Sequence, residues 1–176
     1  MGLDMYLKKG KRIPGKSIKE IEEIENKICY GDNKELLDEY KDYVTEIYYK
    51  SIDTTSYYLI NEIGYWRKAN AIHNWFVNNI QNGIDDSEIY EVKKEQLEKL
   101  LNTCKQVLEK SVLVDGEVVD TTLAKKLLPI REGFFFGYTN YDKWYIESLE
   151  KTVKQLERIL KETDFEKYYV VYTSNW

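Results

Sequence analysis

This sequence predicts an α+β fold: a single domain over residues 1–176, with a mixed or mainly antiparallel sheet of about four to six strands and helices packed on it. Three observations predict it. Apolar residues recur at helical spacing in separate segments, most clearly at Leu97, Leu100, Leu101, Cys104, Val107 and Leu108. Runs rich in β-branched and aromatic residues stand apart from those stripes, as in VTEIYYK, SYYLINEI and YYVVY. A chain of 176 residues also suffices to bury one sizeable core without requiring a second domain.

Taken in order, Leu3 to Lys8 reads as an opening strand. The basic turn after it, residues 9–16, lacks a Gly-x-x-x-x-Gly-Lys-Ser/Thr frame and reads as solvated. Ser17 with Glu20 forms a capping-box pattern. The helix it opens has Ile18, Ile21, Ile24 and Ile28 as its buried edge, and Glu20, Glu22, Glu23 and Glu25 as its wet side. Gly31-Asp32-Asn33 is a turn and a second N-cap signal, ahead of Leu36, Leu37, Tyr40 and Val44 at helical spacing. Residues 44–63 then read as two antiparallel strands around Asp53-Thr54-Thr55. The second strand delivers the chain into a helix predicted to carry Trp66 to Ile80. Gly83, Asp85 and Asp86 mark a polar surface turn without the alternating oxygens of a calcium loop. Ile89 to Val92 is a short strand and Lys93 to Lys110 the clearest helix. Asp115-Gly116 between two apolar runs is the strongest hairpin signal. A short helix, Thr122 to Leu128, stops at Pro129. A long helix from about Tyr141 to Lys161 is expected to be capped by Thr139 or Asn140, with Tyr145, Leu149, Leu156 and Ile159 on its core edge. The closing YYVVYTSNW is apolar enough to require docking in the sheet. That sheet is expected to gather the N-terminal strand, the 44–63 hairpin and the C-terminal strand.

Two stretches stand out as working surfaces. GYWRKANAIHNWFVNNI, residues 64–80, holds the only histidine, and helical spacing would place Trp66, Asn70, His73 and Val77 on one stripe. Arg67 and Lys68 would then sit in a first turn whose dipole disfavours cations, which points to an anionic partner. GFFFGYTNYDKWY is the second. Three consecutive phenylalanines cannot all face inward from an amphipathic strand, so the segment is either buried on both faces or lines a cavity. If the two stretches meet, Trp66 and Phe135 offer stacking faces, Arg67 and Lys68 meet phosphate, Asn70 and His73 hydrogen-bond a base or sugar, and Tyr141, Asp142 and Tyr145 complete the wall.

Bulk properties narrow the function. A net charge of −5 argues against generic duplex nucleic-acid binding. No apolar run reaches membrane length and no signal-peptide core opens the chain, so no membrane role and a cytoplasmic setting are expected. Cys29 and Cys104 lie outside any C-x-x-C frame, which fits a reducing compartment. No cofactor motif and no metal-ligand cluster is present. Sixteen tyrosines against five phenylalanines reflect either AT-rich coding or a half-wet contact surface.

The blocks MGLDMYL, GYWRKANAIHNWFV, LLPIREGFFFGYTNYDKWY and the closing Tyr172-x-Ser174-x-Trp176, in that order over most of the chain, resemble a family of small proteins encoded by bacteriophages and prophages. Residues 18–55 and 111–122 look like insertions particular to this chain. The resemblance implies an infected or lysogenic bacterial cell and an accessory role against host defence, with no activity attached. Three functions therefore stand side by side: a binding module for a small polar ligand such as a nucleotide-derived signal, an interaction protein that occupies a host protein or a further copy of itself, and a small hydrolase or transferase with His73 as general acid or base beside Asp142 or another carboxylate. Ligand binding is the preferred reading, since one histidine without a nucleophile elbow or phosphate loop gives catalysis little to stand on.

Overall fold

The structure, a computed structural model, describes residues 2–31 and 33–176 and is an α+β domain built on antiparallel strands. Asp32, part of the expected Gly31-Asp32-Asn33 turn, lies outside the described residues. Its central sheet has four strands in the order β4 (Ile60–Arg67), β1 (Asp4–Lys11), β8 (Tyr168–Asn175) and β5 (Tyr90–Glu91), antiparallel throughout. The C-terminal strand is thus central, and its code is two-sided. Val170 and Tyr172 point into one core, Tyr169 and Val171 into another.

The larger core lies under α3 (Asn70–Asn79), α4 (Lys94–Lys110), α5 (Thr122–Leu127) and α6 (Lys143–Glu162). The smaller one lies under α1 (Ile18–Gly31), α2 (Lys34–Tyr40) and the hairpin β2 (Thr45–Tyr49)–β3 (Thr54–Tyr58). A second hairpin, β6 (Leu113–Val114)–β7 (Glu117–Val118), turns at Asp115 (φ 51°) and Gly116 (φ 86°), the positive angles its Asp-Gly sequence favours. The Ser17–Glu20 capping box forms: Ser17 N and Oγ both donate to Glu20 Oε2 at 2.8 Å, and Glu20 N donates to Ser17 Oγ at 3.3 Å.

Several expectations are corrected. The hairpin of residues 45–58 does not join the central sheet; it pairs only with itself, and the chain enters the sheet afterwards as β4. Strand β4 continues through Gly64 and Tyr65, so Trp66 and Arg67 are strand rather than the start of a helix. Met5 pairs with Trp66 and Tyr6 with Tyr65, so pairing with β1 overrides the local helical spacing. Lys68, at φ 56°, ends the strand, and the helix begins at Asn70. Glu25 does not face water: its Oε2 accepts from Leu59 N at 2.6 Å and Ile60 N at 2.5 Å, and burial raises its pKa. The cap of α6 is Asp142, whose Oδ1 accepts from Trp144 N at 2.9 Å and Tyr145 N at 3.1 Å.

The outer edge of β4 is closed by side chains. Gln155 of α6 accepts from Tyr65 N at 2.8 Å and donates to Tyr65 O at 3.1 Å, as a neighbouring strand residue would. Register slips between Leu7 and Lys8 leave Ile63 as a bulge, and Arg158 donates to its carbonyl.

Candidate functional site

The two stretches singled out in the sequence do meet, through their backbones. Leu3 stands between them: its carbonyl accepts from Lys68 N at 2.8 Å and its amide donates to Phe135 O at 3.1 Å. Asn70 Nδ2 adds bonds to Phe136 O at 3.2 Å and Tyr138 O at 2.8 Å, which fixes the loop over the start of α3. Gly137 (φ 92°) passes so close that a β-carbon there would lie 3.0 Å from Lys68 Cβ.

Where these segments part, they leave a cleft of ≈ 330 Å³. One wall is Arg67, Lys68 and the first turn of α3; the other is Tyr138, Asn140 and the face of α6 carrying Trp144, Tyr145 and Ser148. The N-cap of α3 is Ala69, so no side chain satisfies that turn. The helix end therefore presents its positive pole to the cleft beside two cations. Arg67 is oriented by Asp4, to which Nη1 donates at 3.2 Å, and Tyr65 Oη donates to the same carboxylate. Trp144 is 57 % and Tyr138 81 % exposed, so both rings are open to a ligand. Lys143 holds its ammonium 4.7 Å from the Trp144 ring centroid. Tyr145 contributes its ring, while its hydroxyl donates to Leu128 O at 3.1 Å in the core.

Of the residues expected in a site, Arg67, Lys68, Asn70, Asp142 and Tyr145 line this cleft. Trp66 does not. It is buried on β4 and its indole donates to Thr152 Oγ1 at 2.8 Å. Phe135 is half-buried beyond the cleft, and Tyr141 sits beneath Lys125 and accepts from Ile130 N at 3.3 Å. The triple phenylalanine is a turn rather than a strand, closed by Phe136 N donating to Gly133 O at 3.1 Å, so its three rings enter three environments.

His73 is sealed in the interior with no exposed surface. Nε2 meets Asp85 Oδ1 at 3.0 Å and Nδ1 meets Tyr172 Oη at 2.7 Å, while Phe136 packs edge-on at 5.0 Å between centroids. Asp85 is also ion-paired to Arg131 Nε at 2.9 Å, so the aspartate expected on a surface turn is folded inward as the histidine's partner. With that carboxylate accepting from Nε2–H, Nδ1 is left to accept the tyrosine proton. Desolvation lowers the His73 pKa despite Asp85, and burial raises that of Tyr172. The carboxylate beside His73 is Asp85; Asp142 caps α6 instead.

The sequence reading missed Tyr138, Asn140, Trp144 and Ser148. A signal existed for one pair. Trp144 and Ser148 stand four apart on α6, one position off its core stripe, and a tryptophan placed off the core is a residue reserved for something else. Among the described residues, no group of three or more His, Cys, Asp or Glu is placed to hold a metal ion, and no helix is long and apolar enough to cross a membrane. No protein-family model, no characterised protein and no solved structure matches the chain.

Proposed function

We propose that this chain binds a small anionic ligand carrying a planar ring, a nucleotide or nucleotide-derived signal, in the cleft between the start of α3 and the start of α6. The observation that carries the reading is the pairing of two chemistries in one hollow. Arg67, Lys68 and an uncapped helix end suit phosphate, and the exposed Tyr138 and Trp144 rings suit a base. At ≈ 330 Å³ the cleft falls in the range of roughly 300–1,000 Å³ typical of small-molecule sites. A phage setting, and use of such binding to occupy a host defence signal, is supported by the resemblance of the sequence blocks alone.

Isothermal titration with the common 5′-nucleotides tests the reading. Saturable binding that weakens about tenfold or more in both Arg67→Ala and Trp144→Ala is expected. Absence of heat from every nucleotide, or binding indifferent to both substitutions, would remove the cleft from consideration.

A second reading, engagement of a host protein, is favoured by the β2–β3 hairpin, where Ile47, Tyr48, Tyr49 and Ile52 are exposed together. Catalysis by His73 has no comparable support, because a general acid or base must reach a substrate proton and this imidazole reaches only Asp85 and Tyr172.

A further inference from the structure

Beside the cleft lies a smaller basin of ≈ 190 Å³, bounded by Trp66, Glu147 and Lys151 together with four residues that also line the cleft: Arg67, Ala69, Trp144 and Ser148. Its size decides its status. It falls below the roughly 300 Å³ at which independent ligand sites begin, so it is a lobe of a larger site rather than a second one. The two hollows run along a single stripe of α6, where Trp144, Ser148 and Lys151 succeed one another at helical spacing over about 10 Å. Trp144 stands at the partition, and Arg67 is common to both sides.

The chemistry of the lobes is complementary. The cleft offers open aromatic faces. The basin offers a floor of Trp66 and, at its rim, Glu147 to accept and Lys151 to donate, the two functions that the polar edge of a nucleobase requires. Lys151 Nζ rests 5.3 Å from the Tyr65 ring centroid, which holds the ammonium beside β4. A guanidinium shared by both lobes lies where a linking phosphate would pass.

We propose that the groove takes a dinucleotide, two nucleosides joined through phosphate, with one base beside Tyr138 and Trp144, the linking phosphate at Arg67, and the second base in the Lys151 lobe. This rests on the cleft being a nucleotide site, and the test separates the two ideas. Titrate the protein with the common 5′-mononucleotides and with the matching linear dinucleotides, using wild type, Lys151→Ala and Arg67→Ala. Lys151 is exposed on α6, so its removal leaves the fold intact. The expected result is a dinucleotide that binds about tenfold tighter than its mononucleotide, a gain lost in Lys151→Ala while mononucleotide affinity stays unchanged, and loss of both in Arg67→Ala. Equal affinities for the two ligand classes, or a Lys151→Ala protein that keeps the gain, would overturn the two-lobe groove and leave the single cleft standing. No binding of either class would overturn both.

Discussion

At Gly133 there is no room for a methyl group, because a β-carbon would lie 2.6 Å from the Phe136 ring. Gly133→Ala is therefore expected to cost about 1–3 kcal/mol in urea denaturation, since the ring that must move is the one packed on His73. This turn explains why three phenylalanines in a row resisted a period-based reading. Phe134 is 95 % exposed and Phe136 is buried, a contrast set by one tight turn rather than by alternation. His73 gives a second prediction. Its folded pKa is lowered, so the unfolded chain takes up the proton first, and stability is lost as pH falls through the ordinary imidazole value of about 6.5. The difference in Tm between wild type and His73→Gln should accordingly shrink on acidification below that value. Asp85→Asn should cost about 1.5–3 kcal/mol, because Arg131 and His73 both lose their charged acceptor. The partner of His73 is not legible in the sequence, since the turn holding Asp85 looks solvated until the fold closes over it.

Among the elements, α4, α5, the Asp115-Gly116 hairpin and the capped start of α1 were legible because each is fixed by residues within its own span. The 64–67 segment was not. Its helical spacing was counted across a junction, and the pairing that makes it a strand comes from Asp4 to Leu7, far away in sequence. The cleft was half legible for the same reason. Arg67, Lys68 and Asn70 were found within one stretch, but the ring opposite them, Trp144, was marked in the sequence only by its place off the α6 core stripe, and its position across the cleft depends on α6 packing against β4. The Gln155 contact offers a test of how that edge is protected. Gln155→Ala frees the amide and carbonyl of Tyr65, and should cost about 1–2 kcal/mol. It should also produce concentration-dependent association in size-exclusion chromatography, since an uncovered edge pairs with its like. A monomeric variant of unchanged stability would mean that water serves the edge equally well.

For the whole molecule, the α+β class followed from composition and pattern, whereas the separation of two cores on opposite faces of the sheet did not. It depends on β8 being buried on both sides, and YYVVY carries no sign of which neighbour each side meets. Because both cores need that strand, removal of Tyr168–Trp176 is expected to abolish cooperative unfolding and the near-ultraviolet dichroism of the aromatic core, rather than trim one layer. Retention of a sharp transition would show that one core stands alone.

The register that pairs Asp4 with Asn175 also has a consequence for biosynthesis. A ribosome releases the opening strand, and β4 on one side of it, long before its other sheet neighbour β8 exists, and local helices must form around a gap. Such distant closure is entropically slow. The nascent chain holds β1 with one side unfilled until β8 has been made, which makes that interval the one in which this protein is most open to capture by chaperones or by its own kind.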